Sequence, residues 1–310
     1  MQSSEQLSVD AENQAWLCRI TSGWKKSALP LEDVFCYWRD VHSPAIARRP
    51  GIWEYRHFQF DTVRPDLFEP REATVFHCPV GEQLMWTSDV RYFDEVALAA
   101  FSASPDPETR GHLLGDIELI VDQSTTYRAV NEMAHTFIDR SAQVPPQGPP
   151  KYPTYSLFFR ARTDESDFRT FLKTVATKWS VVSTVQRLRL SMFEIPDMAA
   201  ERASGYPIKT HPPDRQYQAW IDISIEAESD LASLVNSTDF TQYVSELHAY
   251  PVRAIYTSNQ GGKPTFVGLR GYPAYKALTA IGGYNQAHNS ILRWMYGDVA
   301  EGVELVKAAV

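Results

Sequence analysis

A run of prolines near the middle of the chain divides the sequence into two halves of similar length. Five of the ten residues from Val144 to Pro153 are proline. Proline lacks the backbone N–H donor that helices and central strands need, and it favours extended polyproline geometry. The run therefore predicts a linker at residues 145–153 between residues 1–144 and the second half of the chain.

The two halves repeat the same order of predicted elements. Each opens with a strand, a helix with apolar residues at helical spacing, and an alternating strand, and each continues with further strands and a short helix. In the first half these are residues 15–21, 31–41, 52–60, 84–91, 93–101 and 118–127, and in the second half residues 155–161, 168–179, 185–193, 218–225, 230–235 and 252–258. Each half thus has the β-α-β-β-α-β order of a ferredoxin-like unit.

Four strands with helices on one face leave the other face in need of cover, which a second copy can supply. We therefore predict an α+β fold in which tandem ferredoxin-like repeats, 1–144 and 154–260, form an intramolecular, pseudo-dimeric α+β barrel. Because the halves cover each other, the protein is expected as a monomer or a homodimer. Residues 261–310 have no counterpart in the first half, and they predict a strand-helix-helix extension with a strand at 265–269 and helices at 273–281 and 284–296. This extension is expected outside the barrel or across one of its mouths.

Composition excludes several classes of protein. The formal net charge is −8 and no sizeable cluster of Lys and Arg occurs, so nucleic acid is not an expected partner. No apolar run reaches about 18 residues and the N-terminus lacks a signal peptide, so we expect no membrane association and a cytoplasmic location. Three cysteines (Cys18, Cys36 and Cys78) without a CxxC spacing favour neither a disulfide scaffold nor a metal site, and His77-Cys78 lacks two further ligands.

His42 is the leading candidate for catalysis. With 100° per residue along the predicted helix, His42 points inward together with Val34, Phe35, Trp38 and Val41. The helix dipole favours its protonated form and burial opposes it, which suits an acid/base group. The alternative is a histidine that caps the helix by bonding to a carbonyl.

Further candidates lie on the following strands. Tyr55 and His57 share a strand face with Trp53 and Gln59, which suits a barrel lumen that holds a flat aromatic ligand, or else a solvent-facing or interface strand. Asp89 could orient His42 or His57, or it could be a surface acid paired with Arg91. Catalysis is therefore assigned to His42, Tyr55, His57 and Asp89, and substrate binding to Trp38, Arg39, Trp53 and Trp86, with Arg39 available for a carboxylate.

The segment Tyr37-Trp38-Arg39-Asp40-Val41-His42-Ser43-Pro44, followed by Pro50-Gly51 and Tyr55, resembles the opening helix and strand of the EthD family, which belongs to the dimeric α+β barrel superfamily. The resemblance covers roughly residues 15–260, and the second half resembles a degenerate repeat. Val175 aligns by spacing with His42. The resemblance therefore implies one competent site, in the first half.

The superfamily includes cofactor-free decarboxylases, dehydratases and cyclases, lactone isomerases, monooxygenases and haem enzymes, so the fold leaves the reaction open. The favoured prediction is a lyase or isomerase that acts without a cofactor on an aromatic or polyketide-like molecule by acid/base catalysis at His42. Two alternatives stay open. One is a haem protein with His42 or His57 as axial ligand, and the other is a carrier of aromatic ligands without catalytic activity.

Overall fold

The computed structural model describes residues 9–140, 145–194 and 212–297, apart from residue 11. Residues 141–144 at the end of the predicted first repeat and residues 298–310 of the predicted extension therefore lie outside the described residues. Within these ranges, no helix combines the length and the apolar character needed to cross a bilayer.

The first half is one ferredoxin-like unit. Its elements are β1 (Leu17–Lys25), α1 (Leu31–Tyr37), a π-helical turn (Trp38–His42, the π turn), α2 (Ser43–Ala47), β2 (Ile52–Phe60), β3 (Trp86–Tyr92), α3 (Glu95–Ala103), α4 (Pro107–Ile120) and β4 (Val121–Val130). The strands pair antiparallel in the order β4-β1-β3-β2. Helix α4 is absent from the prediction, and its last residues, 118–120, overlap the predicted strand at 118–127.

The second half repeats this arrangement. It follows β5 (Ala134–Asp139), at the end of the first half, and β6 (Gln147–Gly148), in the linker. Its elements are β7 (Thr154–Ala161), α5 (Glu165–Ser180), β8 (Val185–Met192), β9 (Ala219–Ile225), α6 (Glu228–Asn236) and β10 (Val244–Gln260). The strand order is β10-β7-β9-β8, which matches the first half strand for strand. The predicted tandem repeat is confirmed.

The last strand of each half crosses into the other half and closes the barrel. Strand β10 pairs with β7 as far as Pro251 and then with β2 from Val252 onward. In the same way β4 pairs with β1, and after the short turn Asn131–Met133 the chain continues as β5, which pairs with β8. Because β5 directly continues β4, the order of paired strands begins and ends with the same segment of chain, and the sheet closes into a barrel. This is the predicted pseudo-dimeric α+β barrel, formed within one chain.

The barrel lumen is filled, in part by charged side chains. Arg56, Arg91 and Arg187 point inward from three strands, and Glu12, which precedes β1, forms ion pairs with all of them. Arg187 also pairs with Asp139 and with Asp222. The aromatic part of the lumen includes Trp220, whose ring contacts those of Phe58 and Phe158. The lumen is therefore a packed core.

The C-terminal extension packs on the outside of the first half. It consists of β11 (Lys263–Pro264), α7 (Phe266–Arg270), α8 (Tyr272–Ile281), a 3-10 turn (Tyr284–Ala287) and α9 (Asn289–Tyr296), and α7 contacts α2 and β10. The predicted strand at 265–269 is wrong. The Thr265 side chain accepts a hydrogen bond from the Gly268 N–H and starts a helix there.

Candidate active site

A cavity of about 640 Å³ lies between the outer face of the first-half sheet and the helices that cover it. Tyr55, Trp86 and Ser88 belong to its sheet wall, and the π turn and α4 form its helical wall. The prediction that Tyr55 faces the barrel lumen is therefore wrong. The alternating residues of β2 are assigned to the correct two faces of the strand. Both faces are buried, however, so the pattern does not show which face points into the lumen.

The π turn explains how two neighbouring functional side chains reach the cavity. The backbone N–H of Ser43 bonds to the carbonyl of Trp38, five residues back, which widens the helix locally. Trp38 and His42 are both buried and line the cavity, whereas Val41 is 52% exposed. The inward direction of His42 is confirmed. That of Val41 is wrong, because a wheel with 100° per residue does not hold across a π-helical turn.

His42 is held by a carboxylate. Its Nδ1 atom lies 2.9 Å from Oδ2 of Asp116 on α4, and the Tyr37 hydroxyl donates to the same carboxylate oxygen at 3.1 Å. The alternative interpretation expects His42 to bond to a helix carbonyl, and its partner is instead this carboxylate. Because Nδ1 is engaged, Nε2 is the ring nitrogen left for a ligand in the cavity.

Asp116 was not among the predicted site residues. The sequence does signal its helix: Asp106 accepts hydrogen bonds from the N–H groups of Glu108 and Thr109, and Pro107 occupies the first turn. Asp116 itself has no signal, because 74 positions separate it from His42 and only the tertiary fold brings the two together.

The Tyr55 hydroxyl lies among other polar groups at the cavity wall. It is 2.9 Å from Oγ of Ser43, and it also contacts the side chains of Ser88 and Trp38. Burial raises the pKa of Tyr55 more than these hydrogen bonds lower it. Tyr55 is therefore a neutral hydroxyl, able to donate a hydrogen bond into the cavity.

His57 lies behind the cavity wall. Its ring stacks on Trp38 with centroids 5.9 Å apart, and its Nδ1 lies 3.3 Å from Oγ of Ser88. Burial, with smaller effects from the charges of His42 and Arg39, lowers the pKa of His57 to about 3. His57 is a neutral side chain that supports Trp38 and Ser88, and it does not line the cavity.

Asp89 faces the lumen, away from His42 and His57. It accepts hydrogen bonds from Arg91 at 2.9 and 2.6 Å, and Arg91 also pairs with Glu54. The predicted orienting role of Asp89 is wrong, because on β3 it is Ser88 and Val90 that line the cavity. The pairing with Arg91 occurs as in the alternative interpretation, but in the interior and not on the surface.

The four predicted substrate-binding residues divide into two pairs. Trp38 and Trp86 line the cavity with ring centroids 5.3 Å apart, and Gly23 makes room for Trp86, since a Cβ there would lie 2.4 Å from its ring.

The other two predicted residues lie elsewhere. Arg39 pairs with Asp40 and lies over the rings of Tyr272 and Tyr256, and Trp53 packs on Phe93. Neither Arg39 nor Trp53 lines the cavity.

The corresponding region of the second half is filled by apolar side chains. Helix α5 is a continuous α-helix without a π turn, and Phe168, Leu172, Val175 and Trp179 on its buried face belong to a large hydrophobic cluster. Val175 therefore packs where His42 lines a cavity in the first half. This difference favours a single site in the first half.

No family model and no curated protein matches the sequence. Several solved structures are similar to it. A candidate monooxygenase from Fusobacterium nucleatum is 9% identical with a TM-score of 0.47, covering 81% of this chain and 97% of the other. An anthrone oxidase-like protein is 8% identical with a TM-score of 0.47, covering 81% and 96%. A mutant chlorite dismutase from Candidatus Nitrospira defluvii is 9% identical with a TM-score of 0.37, covering 78% and 94%. The fold assignment rests on the strand order and closure of the barrel.

Proposed function

We propose that the protein is a cofactor-independent lyase or isomerase of the EthD type that acts on an aromatic or polyketide-like small molecule. The observation that carries the proposal is the His42–Asp116 pair at the wall of a cavity flanked by Trp38 and Trp86. A histidine oriented through Nδ1 by a carboxylate, with its other nitrogen available, is a recurrent acid/base arrangement.

In this proposal His42 moves the proton. Its Nε2 lone pair takes a proton from an acidic C–H of the substrate, and the electron pair of that bond passes to the adjacent carbonyl oxygen. Asp116 stabilises the imidazolium that forms, and the neutral Tyr55 hydroxyl donates to the developing oxyanion. The imidazolium then returns the proton to another carbon in an isomerisation, or to a departing hydroxyl group in a dehydration. Trp38 and Trp86 orient the planar substrate by stacking.

One observation also favours the haem alternative. Histidines that bind metals usually donate their second ring N–H to a carboxylate, a backbone carbonyl or water, and His42 can donate to Asp116 in this way. His42 would hold the haem iron, and the haem would supply redox chemistry. His57 does not fit this role, because it does not line the cavity that would hold the haem. A Soret absorption band in the purified protein, lost in His42→Ala, would decide for haem.

The test of the proposal is turnover without added cofactor. The wild-type protein is incubated with a panel of aromatic β-keto acids, hydroxylated aromatic acids and linear polyketide mimics, and the products are analysed by liquid chromatography and mass spectrometry. We expect conversion of at least one compound, and a loss of about 10²–10⁴-fold in His42→Ala. Val175→Ala is the matched control, with turnover retained and about 1–2 kcal/mol less free energy of unfolding.

Two outcomes would contradict the proposal. Binding of the panel compounds without conversion would identify a carrier. Near-native turnover in His42→Ala, together with a lower melting temperature, would make His42 a structural residue.

The proposal also includes a cytoplasmic location. It further includes a monomer or homodimer in solution, and sedimentation measures this oligomeric state directly.

A further inference from the structure

The cavity contains a group of positive charges that the proposed proton transfer does not use. Arg19, Arg49 and Arg110 line it from β1, from the segment after α2 and from α4. We infer that Arg19 and Arg110, with the Tyr92 hydroxyl, form an anion subsite, so that the substrate is an aromatic or polyketide-like carboxylate. The inference rests on the proposed function for the cavity and for the aromatic or polyketide-like part of the substrate.

Contacts at the end of α3 and at the Tyr92 hydroxyl connect the three guanidinium groups. Arg49 donates to the carbonyls of Phe101 and Ser104, and Arg110 donates to the carbonyl of Ser102 between them. Arg19 hydrogen-bonds the Tyr92 hydroxyl, and the charges of Arg19 and Arg49 both act on that hydroxyl. One wall of the cavity therefore holds a cluster of positive charge.

Two of these charges, those of Arg19 and Arg110, have no acidic partner among the described residues. No described carboxylate forms an ion pair within 4 Å of Arg19 or Arg110. Asp116 is bonded to His42, and Glu118, the acid in the cavity lining, is exposed. Two unmatched guanidinium groups beside a partly enclosed cavity raise the affinity for an anion, because Coulomb attraction is stronger where water is scarce. Planar guanidinium groups suit carboxylates in particular, since they can bind both oxygens.

Tyr92 adds a neutral donor to the subsite. Burial raises the pKa of Tyr92 to about 12, although the charges of Arg19 and Arg49 lower it. The hydroxyl accepts from Arg19, and its own proton is available for a carboxylate oxygen. Arg49 is already bound to two carbonyls and lies 3.5 Å over the Phe101 ring, so its role is to hold the end of α3. The ligand contacts are therefore assigned to Arg19, Arg110 and Tyr92.

The test compares an acid with its uncharged ester. Binding of 2,4-dihydroxybenzoate and of its methyl ester to the full-length protein is followed by quenching of tryptophan fluorescence, since Trp38 and Trp86 line the cavity. We expect the acid to bind at least ten times more tightly than the ester. Arg19→Gln and Arg110→Gln should bring the dissociation constant of the acid close to that of the ester, and Arg19→Lys should keep part of the difference.

Arg128→Gln is the control, because Arg128 is an exposed arginine on β4 that does not line the cavity. Equal binding of acid and ester by the wild type, no binding of the acid, or equal losses in Arg128→Gln and Arg19→Gln would overturn the inference. His42→Ala separates it from the proposed function, since this variant should lose turnover and keep the preference for the acid. If Arg19→Gln does not fold, Arg110→Gln and Arg19→Lys carry the comparison.

Discussion

The Nδ1 atom of His42 and the Oδ2 atom of Asp116 lie 2.9 Å apart, and their contact connects the π turn to helix α4 across the cavity wall. The Tyr37 hydroxyl holds the same carboxylate from one turn earlier in the chain. The orientation of the imidazole therefore depends on two helical segments that are far apart in sequence. Asp116 acts through His42, which makes it a positioning residue in the proposed reaction.

Replacement of Asp116 by Asn should lower kcat about 10–100-fold with little change in KM. The amide can still accept a hydrogen bond from Nδ1, but it does not stabilise the imidazolium formed during proton transfer. Steady-state kinetics on the substrate found in the panel measure both constants. Tyr37→Phe is the control, since it removes a contact to Asp116 and leaves His42 paired. A purely structural role of Asp116 would instead lower the melting temperature and leave kcat unchanged.

Replacement of Tyr55 by Phe should lower kcat about 10²–10³-fold, the effect of removing one donor to a developing oxyanion. KM should change little, because Phe keeps the aromatic ring at the cavity wall. Ser43→Ala provides the comparison, since it removes the 2.9 Å contact to the Tyr55 hydroxyl but leaves the hydroxyl in place. Equal losses in the two variants would show that the hydroxyl pair is structural and that Tyr55 does not donate to the substrate.

The repeat, the order of elements and the bounds of β2 follow from the sequence, because alternation and the proline run are local signals. The side of the sheet that carries the site does not follow. Glu54, Arg56 and Phe58 occupy one buried face of β2 and Tyr55 and His57 the other, so neither face has the polarity that would reveal its surroundings. Asp89 was misassigned for the same reason.

Other parts of the site depend on departures from regular geometry or on distant contacts. The π turn displaces Val41 to the surface, and an ideal helical wheel cannot anticipate this. Asp116, Arg19 and Arg110 come from separate elements that meet only in the folded chain. Their residue types are common on protein surfaces, so composition does not mark them.

The buried His57 makes the protein sensitive to acid. Its pKa is about 3 in the folded protein and 6.5 ordinarily, so between these values the unfolded chain binds a proton that the folded chain does not. The free energy of unfolding therefore falls as the pH drops through this window, by up to about 1.4 kcal/mol per pH unit for this group. Urea denaturation between pH 7 and 4 should show a shallower decline in His57→Gln than in the wild type. His112→Gln, at an exposed position, should follow the wild type, and parallel curves for His57→Gln and the wild type would contradict the prediction.

Glu12 stabilises the barrel lumen. It accepts hydrogen bonds from Arg187 at 2.8 Å, from Arg56 at 2.6 Å and from the Thr136 hydroxyl at 2.7 Å. Burial alone would raise the pKa of Glu12, but Arg187, Arg56 and Arg91 outweigh it and hold the pKa well below its ordinary value. Removing the charge leaves buried guanidinium groups undercompensated, so Glu12→Gln should lower the free energy of unfolding by about 3–5 kcal/mol.

Urea denaturation at pH 7 measures this loss, and Glu165→Gln serves as control. Glu165 pairs with Arg169 on the exposed side of α5, so its replacement should cost less than about 1 kcal/mol. The difference between wild type and Glu12→Gln should shrink as the pH falls below 4.5, the ordinary pKa of a glutamate, because the unfolded wild-type chain then takes up a proton that folded Glu12 resists. A Glu12→Gln protein as stable as Glu165→Gln at pH 7 would show that the lumen arginines are satisfied by Glu54, Asp89, Asp139 and Asp222 without Glu12.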